Sequence, residues 1–175
     1  IFTFPNGDYY DGDWKSDEPN GTGMYMWAAT GDRYVGSFQN MQRNGTGTYM
    51  FVNGTKYEGT WLHDMKNGKG TETFSNANKF DGFWVRDMRH GEALYFVHLN
   101  NIDKKSAKKR RQSTGSKKEA TKKTVSTMSI NLSEYVVFHQ TWEYNKRISE
   151  KELQASDELP TLNPPTELAE GSIDD

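Results

Sequence analysis

Cysteine is absent from this 175-residue chain, which removes any disulfide framework, thiolate nucleophile or cysteine-based zinc site. A reducing, cytoplasmic setting is the reading that fits. Histidine is scarce, with four copies. His63, His90, His98 and His139 show no metal-ligand spacing with any partner. The carboxylates are scattered over polar stretches, so paired-acid chemistry has no support. No catalytic residue, metal or cofactor is expected. Long apolar runs are missing too: nothing approaches the roughly 20 residues that span a bilayer, and no signal peptide is in view. Residue 1 is Ile, and Phe4-Pro5-Asn6-Gly7 reads as the closing half of an earlier unit. The chain is therefore expected to be a piece of a longer one.

What the chain does have is glycine and aromatic rings on a fixed ruler. Gly12, Gly36, Gly59 and Gly82 stand 24, 23 and 23 residues apart. Two residues before them come Tyr10, Tyr34, Tyr57 and Phe80, and two after come Trp14, Phe38, Trp61 and Trp84. Gly21, Gly45, Gly68 and Gly91 follow, then Gly23, Gly47, Gly70 and Ala93, and then Trp27, Phe51, Phe74 and Val97. Self-similarity at such a period means an array in which each unit buries its apolar face only against its neighbours.

One unit reads as a β-hairpin. In Tyr57-Glu58-Gly59-Thr60-Trp61 the large apolar residues alternate with polar ones, so Tyr57, Gly59 and Trp61 share a face. Gly59 weakens an isolated strand, but it leaves room for an aromatic ring to lie where a Cβ would stand. Leu62 to Asn67 is polar and ends in Asn67-Gly68, the predicted hairpin turn. Gly68 to Phe74 then returns as the second strand. Asn6-Gly7 and Asn53-Gly54 mark turns into the next unit. The extra residue of the first full unit falls in Ala28-Ala29-Thr30, where a turn absorbs it without a register slip that would flip every side chain. Gly-x-Gly here opens a strand, not the helix whose N-terminus holds phosphate.

Tyr-x-Gly-x-Trp, six residues, Gly-x-Gly and an Asn-Gly turn resemble the MORN repeat (membrane occupation and recognition nexus) over about residues 1 to 100. Ala77, Ala93 and Phe80 depart from the pattern, near the end of the array where repeats are expected to be atypical. The resemblance implies an all-β fold: an elongated, twisted, single-layer antiparallel sheet of tandem hairpins. Phe138-His139-Gln140-Thr141-Trp142 repeats the spacing of Phe80 to Trp84, and Arg147 falls where Arg89 does. Residues 135 to 144 therefore read as a degenerate last strand capping the sheet. The expected division is 1–99 for a partial first unit plus four units, 100–132 for a disordered basic insertion, 133–148 for the cap and 149–175 for an acidic tail.

Charge divides along the same lines. Residues 1–102 carry nine basic and twelve acidic groups, a net of −3. Residues 103–123 carry ten and two, a net of +8; residues 149–175 carry one and eight, a net of −7. The basic stretch has no interleaved aromatics, so nucleic acid is not an expected partner. An acidic protein surface such as a tubulin tail, anionic lipid or nuclear import are the open alternatives. Within it Lys109-Arg110-Arg111-Gln112-Ser113 resembles the site of cyclic-nucleotide-dependent kinases, which marks Ser113 for phosphorylation. In the tail, Ser149-Glu150-Lys151-Glu152 has a capping-box pattern that predicts a short helix ending by Pro160, with extended linker beyond.

Tyr10, Trp14, Tyr34, Phe38, Tyr57, Trp61, Phe80 and Trp84 are the candidate partner-binding groove. Stacked rings are the core of a one-layer sheet, and a ladder of them also suits an apolar helix or an extended peptide. MORN arrays resemble those of axonemal radial spoke heads, which implies a non-enzymatic scaffold that binds other subunits of a large ciliary or cytoskeletal assembly. The alternative is a membrane or phosphoinositide module, as in junctophilins and plant phosphatidylinositol phosphate kinases.

Overall fold

A tyrosine whose ring lies flat over two glycines is the unit from which this fold is built. In a computed structural model of the chain, which describes residues 1–102, 122–125, 128–131, 134–154 and 157–166, Tyr57 donates its hydroxyl to the carbonyl of Thr60 at 3.1 Å. That reach lays the ring across Gly59 on its own strand and Gly70 on the next. A Cβ built on Gly70 would stand 2.3 Å from the Tyr57 hydroxyl. Tyr10 and Tyr34 repeat the bond, to Asp13 and Ser37. The glycine columns are thus the beds of the tyrosine rings. In the fourth unit Phe80 has no hydroxyl, and the methyl of Ala93 takes up the freed space: a Cβ on Gly82 would meet it at 2.6 Å.

The strands follow the chain. They are β1 (Phe2–Thr3), β2 (Tyr9–Lys15), β3 (Glu18–Met26), β4 (Arg33–Gln39), β5 (Gln42–Met50), β6 (Lys56–Leu62), β7 (Met65–Thr73), β8 (Lys79–Val85) and β9 (Met88–His98). After the 3-10 turn Leu99–Asn101 come β10 (Lys122–Val125), β11 (Met128–Asn131), β12 (Tyr135–Glu143) and β13 (Lys146–Glu152). Eleven of them make one open antiparallel sheet in the order β1-β2-β3-β4-β5-β6-β7-β8-β9-β12-β13. At the usual strand spacing its width is roughly 50 Å. β10 and β11 pair with each other in a separate ribbon inside the expected loop.

The turn chemistry differs from the expectation. Each hairpin closes through two residues, and Asn67-Gly68 is not the turn. Ser16-Asp17, Asn40-Met41, His63-Asp64, Arg86-Asp87 and Tyr144-Asn145 all have positive φ, the pattern of a type I′ turn, whose twist matches that of the strands. Gly68 lies inside β7 with φ +87, at a bulge. Between the pairs Gly59↔Gly70 and Trp61↔Lys66, the single residue Thr60 faces three. The connecting turns are as expected. Gly54 and Gly7 have φ +86 and +89, and the amide of Gly54 returns to the carbonyl of Phe51. In the longer first unit Gly31 returns to Trp27, one residue further, and register is kept, with Tyr25 opposite Tyr34.

The chain beyond residue 132 also differs. The cap is not a lone strand: β12 pairs with β9 and then with β13, giving a fifth hairpin. Ser149 to Glu152 are strand, not helix, because opposite β12 this segment has a partner for its backbone. Residues 157–165 are not a free linker either. They return over the opposite side of the sheet, where Phe83, Leu94, Phe96, Val137 and Leu162 form a second apolar cluster. Ser113 and most of the basic stretch lie outside the described residues.

Candidate functional site: the aromatic face

Eight rings were expected to line the groove, and the strands do bring them into one column. Tyr10, Tyr34, Tyr57, Phe80, Phe38, Trp61, Trp84 and Ala93 form the main buried cluster. Adjacent rings meet edge to face at 5.1–5.5 Å, as in Tyr34–Phe38, Tyr34–Trp61, Tyr57–Trp61 and Tyr57–Trp84, a favourable aromatic arrangement. Seven of the eight, however, are closed to solvent. Trp14 alone is open, at 40% exposure. Burial pushes the Tyr34 hydroxyl up to about 12, and it raises that of Tyr57 as well. These rings are the floor.

The rings that solvent reaches come from the returning strands. Phe4, Tyr25, Trp27, Tyr49, Phe51, Phe74, Tyr95 and Trp142 are half-buried. They run as a line: Phe4–Tyr25 at 5.6 Å, Tyr25–Trp27 at 4.7 Å, Trp27–Tyr49 at 5.2 Å and Tyr49–Phe51 at 4.6 Å. Phe74–Tyr95 continues it at 6.2 Å. The tyrosine column Tyr25, Tyr49 and Tyr95 stands in the sequence two residues after Gly23, Gly47 and Ala93, and Glu72, two residues after Gly70, interrupts it.

A polar rule governs those tyrosines. Tyr25 donates to Asp8 at 2.8 Å and Tyr49 to Asp32 at 2.9 Å, while the same carboxylates accept from the amides of Ala28 and Val52. The Ala28 amide, foremost, holds the Asp8 carboxyl below its ordinary value. Burial, with the carboxylate bond adding to it, pushes both tyrosine hydroxyls to about 12. Asn78 meets Tyr95 in the fourth unit. Where the tyrosine is replaced by Glu72, the turn position holds Thr55, so both halves of the pair change together.

Glu72 instead binds two cations. Lys66 and Arg89 each reach it at 2.9 Å, with all three side chains less than a fifth exposed. Arg43, Lys66 and Arg89 form another column on the 23-residue ruler, lying 4.3, 4.4 and 4.4 Å from the ring centroids of Trp61, Trp84 and Phe80, a cation–π arrangement. Their regular spacing is visible in the sequence, but their place over the rings is not. Their backbones dock the next turn. Asp64, Asp87 and Asn145 accept from the amides of Arg43, Lys66 and Arg89 and donate back to their carbonyls. Pro19 has no amide to give, and the residue facing it is Met41, which has no acceptor. Asn145 shows that the fifth hairpin joins the array by the same rule as the others.

In the fifth unit Gln140 fills the glycine position. Buried at 1% exposure, it accepts from the Trp142 indole at 2.9 Å and donates to Glu150 at 2.5 Å. Among the described residues no group of three His, Asp or Glu is placed to hold a metal ion, and no helix is long and apolar enough to cross a membrane.

The family model of the MORN repeat matches residues 10–29, 34–56, 57–79 and 80–96. A search of the curated proteins finds no match. The matched segments begin at or near Tyr10, Tyr34, Tyr57 and Phe80, the rings that lie on the glycine beds, and each holds one hairpin. The chain carries four MORN repeats in tandem.

Proposed function

We propose that the chain is a non-enzymatic scaffold that holds partner proteins on its aromatic face. Its place is in an axoneme, of the radial spoke kind, or in a related cytoskeletal assembly. The observation that carries this reading is the line of half-buried rings from Phe4 to Phe51, with Phe74 and Tyr95 beyond. Rigid rings give apolar contact at a low cost in conformational entropy. Seven of the eight rings read from the sequence support that surface from below, and the eighth, Trp14, extends it at the open end. An amphipathic helix or an extended peptide laid across the hairpins would touch one ring pair per repeat. The axonemal setting rests on the resemblance to radial spoke head arrays, with charged segments outside the repeats.

The second reading, a phosphoinositide or membrane module, draws on the +8 segment at residues 103–123. The repeat region, at −3, is repelled by an anionic leaflet, so lipid binding would rest on that segment. Two assays separate the readings: flotation with phosphatidylserine and phosphoinositide vesicles, with and without residues 103–123, and detergent extraction of cilia. We expect the deleted protein not to float and the full chain to stay with the detergent-resistant axoneme. Flotation that survives the deletion, together with release by detergent, contradicts the scaffold.

A further inference from the structure

The side of the sheet opposite the ladder changes character along the array. Its cross-strand pairs in the early repeats are mostly polar, such as Thr22 with Ser37, Thr46 with Thr60 and Thr48 with Glu58, beside the apolar pair Met24 with Val35. At the last hairpins Phe83, Leu94, Phe96 and Val137 replace them with a patch of apolar side chains. The chain covers that patch with its own tail. The amide of Leu153 first bonds to the carbonyl of Val137 at 2.8 Å.

Further along, in Leu159-Pro160-Thr161-Leu162-Asn163-Pro164-Pro165, Leu162 and Pro165 are buried, and Leu159 packs half-buried on the cluster. Thr161, Asn163, Pro164 and Thr166 are exposed. A three-residue period in a segment with three prolines is that of a polyproline II helix, whose backbone has no internal hydrogen bonds and leaves its amides and carbonyls open to outside partners. Glu92 is one such partner. Its Oε2 accepts from the Asn163 amide at 3.0 Å and from the Asn163 side chain at 3.2 Å. Gly91 seats the last proline, since a Cβ there would stand 3.2 Å from Pro165 Cδ.

We propose that this patch is a second recognition site, built for an extended peptide of polyproline II period with leucines three apart followed by asparagine and proline. Residues 157–165 occupy it in cis and gate it against a partner segment of the same chemistry. The Phe83–Leu94–Phe96–Val137 patch takes the second leucine, Glu92 reads the asparagine, and Gly91 reads the proline. Strap and partner compete on equal chemistry, so the tether decides between them. A short tether gives the strap an effective concentration in the millimolar range and masks the site until the strap is released.

The test uses the full chain in two forms, the natural one and one carrying Leu162→Glu and Pro165→Glu to free the strap. The probe is a fluorescein-labelled peptide of residues 157–166, read by fluorescence anisotropy. We expect the freed form to bind the probe at least about tenfold more tightly than the natural chain, and Glu92→Gln in the freed form to weaken it severalfold. A freed form with an unchanged circular dichroism spectrum that does not bind the probe overturns the proposal. Hydrogen exchange on the natural chain gives a reading that does not depend on the variant folding. We expect the Leu153 and Asn163 amides to exchange about a hundredfold faster than those of β8 and β9, as local opening requires. Exchange of strap and strands together makes the strap a fixed part of the core and contradicts the gate.

Discussion

Each ring–glycine contact in this sheet is an exchange of volumes, and it can be tested one atom at a time. Gly70→Ala forces a methyl into the Tyr57 hydroxyl, 2.3 Å from where its carbon would stand. Overpacking of this kind costs about 1–3 kcal/mol. The fourth unit shows the compensation, because Phe80 and Ala93 coexist there. We therefore expect Tyr57→Phe to recover part of the loss in the double variant, measured by urea unfolding, whereas independent sites would add. Asp81 offers a test by pH. It is buried on the side opposite the ladder, accepts from Thr71 at 3.1 Å, and its Oδ2 has no partner among the described residues. Burial pushes its carboxyl above the ordinary 3.8, and the charge of Lys69 and the Thr71 bond offset only part of this. A raised folded-state value means that the folded chain binds the proton more tightly than the unfolded one. The stability linked to it is present below pH 3.8 and is lost as pH rises through the folded value. Asp81→Asn is expected to raise the thermal midpoint at pH 7, and the gain should fade as pH falls toward 3.8. A gain that is the same at both ends would contradict that origin. At this scale the sequence was largely legible: glycine two residues after tyrosine is a steric statement. The cation column was not, because Arg43, Lys66 and Arg89 act through side chains that lie over rings, and charge alone does not reveal that.

Among elements, the hairpin turns hold the repeats together. One hairpin turn and one connecting turn carry residues that dislike their backbone. Met41, in a hairpin turn, sits at φ +64 and is open to solvent, and Ala77, in a connecting turn, sits at φ +67 where Gly7, Gly31 and Gly54 stand in the others. A left-handed residue with a Cβ costs roughly 1–2 kcal/mol relative to glycine. Met41→Gly and Ala77→Gly should each stabilise the protein by about 1 kcal/mol in urea unfolding, after allowance for the greater freedom of glycine in the unfolded chain. Met41→Gly leaves the bond from its amide to the Pro19 carbonyl in place. Hairpins, register and the tolerant Ala28–Thr30 insertion could be read from alternation and spacing. The turn position could not. Asn67-Gly68 is a strong turn signal locally, but the positive φ of Gly68 is spent on a bulge. The docking of Asp64 on Arg43 fixes the turn two residues inside the polar run. The helix predicted from Ser149 failed for a related reason. Ser-x-x-Glu is a helix signal only when no strand edge is on offer, and β12 offers one from Phe138 to Glu143.

For the whole molecule, the sheet has two unlike faces. One carries the aromatic ladder along its length; the other is mostly polar, and its one buried apolar cluster among the described residues lies where the tail covers the last hairpins. The ladder as the core of a one-layer sheet was legible from the columns. Which rings remain accessible was not, since that depends on how Tyr57 and its equivalents fold down over the glycines and leave Tyr25, Trp27 and Tyr49 standing above them. The second apolar cluster was less legible: Phe83 stands where earlier repeats hold Asp13, Ser37 and Thr60, but Leu94 and Phe96 stand where they hold Met24 and Met26 as well as threonines, so the change of character is gradual along the ruler. The proposed scaffold function turns on this asymmetry. A photo-crosslinking amino acid placed in cells at Trp27 or Tyr49, and separately at Thr22 or Thr48 on the opposite side of the same strands, reads it directly. We expect protein crosslinks from Trp27 and Tyr49 and few or none from Thr22 and Thr48. Equal crosslinking from both faces, or crosslinks confined to Thr22 and Thr48, would contradict the aromatic face as the partner surface.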